Sequence, residues 1–399
     1  MRMIAVSHAA ILDINRRLFV ELAQRGHRVL LAVPSHWNND FGSCPLQPEP
    51  LAHPSDKRLL LRVCRLVMAG KTALQLYLPG SWPMLARWRP NIVFIDEEPW
   101  SFAALQWVLC AKLARASIIV YTKENRERSY PVPFSWIRHI VLRSAGHILA
   151  ISDDAVRILS LDGYDMKSSI FPHAVDTAIF HKREDDERTS NDRPFRIGFV
   201  GRIAPEKGLD TLLRAIALLV AESKNASTIV THIYGAGDEA YTAELRQLEQ
   251  SLGILAGLIR WHGAVPHDRV PDAMRSLDAL VIPTVAYQGY KEQFGRVVIE
   301  ALACGVPVMT SDNGELPALA RKTGGGLVFP EGNASALADC LTVAMRERKA
   351  LADMAQHGYD YVLGHYTYGM LATRLEEIMQ RVTTPSSVHT HGGCAREDR

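Results

Sequence analysis

Glu292-Gln-Phe-Gly-Arg-Val-Val-Ile-Glu-Ala-Leu-Ala-Cys-Gly-Val-Pro-Val308 reads as a loop that runs into a short helix and out again. Val297, Val298, Ala301 and Leu302 give one apolar helical face. Gly305 is a natural C-terminal cap, and Pro307 forbids continuation. A helix that begins near Phe294 or Gly295 carries Glu300 on its second turn and leaves Glu292 in the loop ahead of it. The eight-residue spacing at helical rise corresponds to about 12 Å, on the order of the distance between a sugar and a ribose joined by a pyrophosphate. Backbone N–H groups at the helix start face such phosphates, and Gly295 lets them come close. One carboxylate then accepts from sugar hydroxyls and the other from ribose hydroxyls. The same spacing also fits a surface helix with two solvated glutamates.

Two further motifs lie upstream. Phe199-Val-Gly-Arg-Ile-Ala-Pro-Glu-Lys-Gly208 is a strand end followed by a turn that presents Arg202 and Lys207 ahead of a helix near Leu209. Two cations five residues apart on such a loop can hold a diphosphate, Arg by its fork and Lys as a point charge. Ordinary surface charges on an exposed loop are the competing explanation. Gly235-Ala-Gly-Asp-Glu-Ala240 fits the loose G-x-G-x-x-A fingerprint of dinucleotide sites. The acid expected about 20 residues later is missing, since residues 255–265 contain no Asp or Glu. Gly235 and Gly237 are therefore read as a tight turn that allows close backbone approach.

Around these motifs the chain alternates short apolar runs with helix-length segments. Met3–Val6, His27–Val33, Ile92–Ile95, Ser117–Tyr121 and His147–Ile151 are expected strands in the first half. Phe195–Val200, Thr228–Tyr234, Leu258–Trp261 and Ala279–Ile282 are expected strands in the second, with a helix over about Leu209–Ala221. That pattern implies parallel sheet covered on both faces. Residues 181–193, with nine charged side chains and no apolar one, cannot bury surface and read as a solvated linker. The expected organisation is an N-terminal domain over 1–180, a charged linker over 181–194 and a second Rossmann-like domain over 195–364. A helix over 365–382 is expected to pack back on the first domain, and a polar tail over 383–399 to be disordered.

Composition agrees with this division. At 399 residues the chain suits two domains better than one core, and 47% hydrophobic against 22% charged residues excludes a wholly disordered chain. A formal net charge of +2 argues against a dedicated nucleic-acid binder. The six cysteines show no C-x-x-C spacing, so free thiols in a reducing cytosol are expected rather than a disulfide or zinc scaffold. The N-terminus has no sustained apolar leader and no run of about 18 apolar residues occurs, so the expectation is a cytoplasmic protein that spans no bilayer.

With G-R-x-x-x-E-K-G at 201–208, G-x-G at 235–237, Glu292 and Glu300, Asp312-Asn-Gly-Glu-Leu-Pro317 and Gly324-Gly-Gly-Leu-Val-Phe329 in order, the sequence resembles the retaining glycosyltransferases of family 4, the group 1 transferases. Their fold is GT-B: two facing Rossmann-like, doubly wound parallel-sheet α/β domains with a cleft between them. Asn125-x-x-x-x-Tyr130-Pro-Val-Pro-Phe134 and Phe171–Phe180 are similar to members that build bacterial surface polysaccharides. The resemblance implies transfer of a hexosyl unit, with retention, from a UDP-, GDP- or ADP-linked sugar to a hydroxyl of a glycan or lipid-linked acceptor. It implies no cofactor and no bound metal. By it, Arg202 and Lys207 bind the diphosphate at Gly201, Glu292 holds the sugar, and Phe294 and Gly295, with Arg296 beside them, offer backbone to sugar and phosphate. Glu300 takes the ribose and Val265 lies near the base.

The first half departs from the family pattern. Ser7-His8-Ala9-Ala10 stands where many members have a glycine pair, and Ile95-Asp-Glu-Glu-Pro-Trp100 puts Glu97 near the usual cleft histidine. Glu97 either contacts sugar or acceptor, or accepts hydrogen bonds from nearby loops. His8, Ala9 and Asn125 are acceptor-side candidates. Arg58, Arg62 and Arg65 among Leu59, Leu61, Val63, Leu66 and Val67 are read as a helix, whose basic side suits either solvent or the inner leaflet of a membrane. Two rival functions remain: an NAD-dependent enzyme, which the missing ribose acid disfavours, and an inactive GT-B protein that only binds nucleotide-sugar or glycan.

Overall fold

The computed structural model describes residues 1–38, 45–51, 57–78, 82–164, 167–182, 193–222 and 229–384. Most of the charged linker and nearly all of the polar tail fall outside them. In chain order the first half carries β1 (Arg2–Ser7), β2 (Arg28–Pro34), β3 (Leu59–Cys64), β4 (Leu66–Val67), β5 (Leu76–Tyr77), β6 (Ile92–Asp96), β7 (Ser117–Thr122), β8 (His147–Ala150) and β9 (Ser168–Ile170). The second half carries β10 (Phe195–Val200), β11 (Ile229–Tyr234), β12 (Ile259–Gly263), β13 (Ala279–Ile282), β14 (Val308–Ser311) and β15 (Gly326–Phe329).

These strands make two parallel sheets, in the orders β3-β2-β1-β6-β7-β8-β9 and β12-β11-β10-β13-β14-β15. The central strands are apolar throughout because helices cover both faces: Met3, Ile4, Ala5 and Val6 of β1 are fully buried, as are Ala279, Leu280 and Val281 of β13. Strand order reverses beside β1 and beside β10, and open α/β sheets bind ligands off the carboxyl ends of the strands at such switch points. The loops after β1, β6, β10 and β11 therefore define where a site belongs.

One expectation is overturned. The segment around Arg58–Val67, read as a basic helix, is an edge strand: β3 pairs in parallel with β2 from Val29↔Leu59 to Pro34↔Cys64, and β4 pairs antiparallel with β5. Arginines at 58, 62 and 65 imitate a helical period. The backbone N–H and C=O groups of an edge segment find their partners in β2 instead, and Leu59, Cys64 and Leu66 point inward.

The chain passes between the halves twice. The outward passage follows Val175–Phe180, and the return brings in the helix Tyr368–Thr383. That helix lies on the first half: Glu376 bonds Arg25 (3.0 Å) and His27 (2.7 Å), and Ser117 Oγ donates to the Val382 carbonyl (2.8 Å). The two passages touch where Val175 N–H donates to the Tyr366 carbonyl (2.8 Å).

Candidate functional site

The loop after β10 is built on a close crossing of backbones. Gly201 N–H donates to the Tyr234 carbonyl (3.0 Å) and Ile203 N–H to the Ala236 carbonyl (2.9 Å). A Cβ on Gly235 would overlap the Gly201 carbonyl oxygen, and one on Gly237 would overlap that of Ile203. The glycines are thus fixed by contact with the Arg202 loop. Arg202 pairs with Glu206, four residues on, while Lys207 ends a single 3₁₀ turn, Pro205–Lys207.

Lys207 is the centre of a second half-buried cluster. Its ammonium donates to Glu292 Oε2 (2.8 Å) and to the Tyr290 hydroxyl (3.0 Å), and that hydroxyl donates to the same carboxylate oxygen (3.1 Å). Burial works against the charge on Lys207, but Glu292 and Tyr290 outweigh it and the net shift is upward. Of three ammonium N–H donors, these bonds use two. Tyr290 is a residue that sequence reading missed. Its only local signal is an aromatic two residues before the first glutamate.

The helix of the 292–308 stretch runs over Arg296–Ala303, with Gly295 as its N-terminal flank at φ +84°. That left-handed value favours glycine, and a Cβ there would press on Leu316. Glu292 is held from both sides by its backbone: its N–H donates to Asn313 Oδ1 (2.9 Å), and its carbonyl accepts from Glu315 N–H (3.1 Å). Asn125 Nδ2 reaches across from the first half to the carbonyls of Lys291 and Glu292, at 3.3 Å each. Gln293 Nε2 donates to the Lys123 carbonyl (2.8 Å), and Arg296 donates to Asn15 Oδ1 (3.0 Å). Phe294 is buried against His173 and Tyr366, with ring centroids 5.6 and 5.8 Å away.

Glu300 does not join the Lys207 cluster. It faces a separate cavity of about 500 Å³ between the halves, lined also by Arg296, His267, Asp268, Asp176 and Tyr368. Burial pushes its carboxyl up to about 7, with Arg296 pulling weakly the other way. Val265 lies half-buried between β12 and the turn that carries His267.

On the first-half side, β1 and β6 are paired through Ser7↔Asp96, so the next residues, His8 and Glu97, leave the sheet together. Their side chains meet at His8 Nδ1···Glu97 Oε2, 2.8 Å. Glu97 is 1% exposed and also accepts from Gln75 Nε2 (2.7 Å) and the Tyr77 hydroxyl (2.8 Å). Of the two readings of Glu97, the geometry matches the acceptor of hydrogen bonds from nearby loops. Gln75 and Tyr77 lie some twenty residues earlier and carry no motif. Ala9 opens a 3₁₀ turn and its carbonyl takes Asn15 Nδ2 (2.8 Å).

His8 lines a polar cavity of about 300 Å³ together with Glu98, Glu124, Asn125, Gln293 and the stacked pair Trp100–Tyr130, whose centroids are 5.5 Å apart. The structure thus brings His8 and Asn125 to the edge of the Glu292 loop, keeps Glu97 behind His8, and gives Ala9 and Arg296 to a neighbouring cavity of about 260 Å³ that also holds Lys123 and His173.

The family description "Glycosyl transferases group 1" matches residues 181–361. The 2-deoxystreptamine N-acetyl-D-glucosaminyltransferase of Streptomyces fradiae is 28% identical over 341 residues, 77% of this chain and 78% of that one. A D-inositol 3-phosphate glycosyltransferase of Streptomyces griseus is 37% identical over 174 residues. That alignment spans 41% of this chain and only 36% of the relative. Among solved structures, HepE of Anabaena in complex with UDP superposes with a TM-score of 0.72 at 15% identity, covering 95% of this chain and 100% of that one. The sucrose-phosphate synthase of Thermosynechococcus elongatus gives 0.68 at 18%, covering 96% and 99%. Over residues 181–361 the chain is similar to the group 1 glycosyl transferases, and its two parallel sheets have the GT-B fold of these solved structures.

Proposed function

We propose that the protein transfers a hexosyl unit from a nucleoside-diphosphate sugar to a hydroxyl of an acceptor, with the anomeric configuration retained. The observation that carries this reading is the Lys207–Tyr290–Glu292 cluster beside the Arg202 loop. A cation stands next to a carboxylate fixed at its backbone. Lys207 and Arg202 stabilise the diphosphate as it leaves, the step in which negative charge accumulates. Glu292 accepts from hydroxyls of the transferred sugar, and the N–H groups ahead of the helix Arg296–Ala303 face the phosphates. Glu300, at the other end of the same element, takes the ribose, with Val265 toward the base. The UDP-bound neighbour favours a uridine donor.

The acceptor belongs in the cavity between His8 and Tyr130. An aromatic pair for a ring face, with carboxylates and an amide for hydroxyls, suits a polyhydroxylated ring, and the relatives are named for such acceptors. A glycan or lipid-linked sugar meets the same description. Peripheral contact with a membrane is part of the proposal: Leu60, Val63, Val67 and Leu76 are exposed beside Arg58, Arg62 and Arg65. No helix among the described residues is long and apolar enough to cross a membrane.

Thermal shifts with UDP-, GDP- and ADP-sugars test donor binding directly, because only native-state ligands raise the transition. Transfer to cyclitol and glycan acceptors is then followed by NMR, where the anomeric coupling reports retention. Undiminished transfer in both Lys207→Ala and Glu292→Ala overturns the assignment. Vesicle sedimentation that is indifferent to anionic lipid removes the membrane contact.

A further inference from the structure

We propose that the acceptor ring carries an ammonium group and that Glu98 is the residue that selects it. The inference rests on the transferase reading above, with the acceptor in the cavity between His8 and Tyr130, and adds the charge of that acceptor.

The end of β6 presents three carboxylates in succession, Asp96, Glu97 and Glu98. Two of them are satisfied within the fold. Asp96 accepts from Lys123 Nζ (2.8 Å) and from the Ser7 hydroxyl (2.6 Å). Glu97 takes the Tyr77 hydroxyl, Gln75 Nε2 and His8. Glu98 is different. Its backbone is fixed, the carbonyl accepting from Ser101 N–H (2.9 Å). Its carboxylate has no hydrogen-bond donor and no ion-pair partner among the described residues. The residue is half-buried and lines the polar cavity of about 300 Å³. A carboxylate drawn out of water without a partner costs free energy. A cation brought by the ligand is the missing half of the pair.

The other charges of the cavity are engaged elsewhere. Glu124 accepts from the Tyr130 hydroxyl and from Arg138 Nε (3.0 Å). His8 faces Glu97, and Arg126 donates to the Gly289 carbonyl of the other half. Arg128 is exposed to solvent. Burial raises the Glu98 carboxyl above its ordinary value; Lys123 and His8 pull it down, Glu124 and Asp96 push it up, and the net shift is upward. The cations around Glu98 therefore do not neutralise it. The stacked rings of Trp100 and Tyr130, centroids 5.5 Å apart and planes 25° from parallel, line the same cavity. Aromatic faces attract cations as well as sugar rings. Gln293, the residue after Glu292, is also part of the lining, so a ring held here lies beside the donor loop. An anionic ring would bring like charge against Glu98, which builds discrimination into the site.

The test uses the full chain and three cyclitols that differ in charge: 2-deoxystreptamine, myo-inositol and inositol 3-phosphate. D-Glucosamine and D-glucose form a second pair. Wild type and Glu98→Gln are first compared by melting curve and by binding of UDP-glucose, GDP-mannose and ADP-glucose. Calorimetry then measures each ring on protein saturated with the nucleotide that binds. Wild type is expected to prefer the amine over its neutral counterpart by roughly tenfold or more, as a hydrogen bond between charged groups provides. Glu98→Gln keeps the shape and removes the charge. It should bring that preference to within about twofold and leave the neutral ring's affinity unchanged, a selective loss that a merely structural role would not produce. If the variant melts early, the wild-type comparison decides alone. Lack of a wild-type preference for the amine, a preference that survives Glu98→Gln, or failure of every ring to bind beside a bound nucleotide overturns the inference alone. Binding of none of the three nucleotide sugars overturns the donor reading and the inference with it.

Discussion

Replacing Lys207 by Met removes the ammonium and keeps most of the side-chain volume. The residue has two jobs to separate: neutralising Glu292, which it touches at 2.8 Å, and attracting a diphosphate. The two side chains are 20% and 16% exposed, so neither the fully buried nor the fully solvated limit applies. A unit charge about 4 Å from a phosphate at an effective dielectric of about 20 contributes roughly 4 kcal/mol. Partial solvent access and the remaining N–H donors reduce this to about 2 kcal/mol, or roughly 30-fold in donor affinity. Transfer is expected to fall further, by roughly 10²–10³ in kcat/KM, because the leaving diphosphate carries more charge than the bound one. Stability falls as well, by about 1–2 kcal/mol, since Glu292 is left with Tyr290 alone. The double variant Lys207→Met/Glu292→Gln, compared with Glu292→Gln alone, separates the two jobs. Calorimetry of donor binding, melting curves and steady-state transfer should show stability recovered but binding and transfer still lost. If the double variant transfers sugar within about threefold of Glu292→Gln, Lys207 acts only through Glu292 and the diphosphate argument fails.

Gly235→Ala forces Cβ onto the Gly201 carbonyl and should cost roughly 2–4 kcal/mol, a drop of about 5–10 °C in melting temperature together with weaker donor binding. An unchanged melting curve would refute the close crossing of the two loops. For Glu300, a folded pKa of about 7 against an ordinary 4.5 means that the native state holds the proton more tightly. Its contribution to stability therefore falls as pH rises from about 4.5 to about 7, then levels off. Glu300→Gln should be more stable than wild type by about 1–3 kcal/mol at pH 8, should match it near pH 4.5, and should bind nucleotide less well. A difference that does not grow with pH contradicts the burial of this carboxyl. Asn125→Ala deletes two bonds across the cleft to the Lys291 and Glu292 carbonyls. It should cost about 0.5–1.5 kcal/mol and lower kcat more than donor affinity, as kcat and binding measured side by side would reveal.

Both sheets could be read from the sequence where their strands are buried on two faces. Met3–Val6, Ile92–Ile95 and Ala279–Ile282 are continuous apolar runs because helices cover both sides. The edge defeated the same reasoning: around β3, arginines at 58, 62 and 65 imitate a helical period, and only pairing with β2 decides the structure. Lys207 and Glu292 could be picked out as candidates because two loops carry them in spaced motifs, and the structure brings these two together while Glu300 faces a separate cavity. Tyr290 could not, since its role arises from reaching an ammonium 83 positions away in sequence. The enclosure of Glu97 was also invisible, because Gln75 and Tyr77 come from the short β5 region and only the tertiary structure brings them under it.

The paired passages between the halves have a mechanical consequence. Val175 and Thr367 form a parallel bridge, so the outgoing and returning strands of chain lie side by side instead of at opposite edges of the cleft. Two separated tethers would clamp the halves together, whereas two adjacent ones act as a single pivot and leave one rotation free. Any such rotation would change the gap between the His8 and Lys207 walls and would have to break the bonds from Asn125, Gln293 and Arg296. Cutting the chain between Lys182 and Arg193 would remove one tether but not the pivot, since the helix Tyr368–Thr383 still grips the first half through Glu376 and Val382.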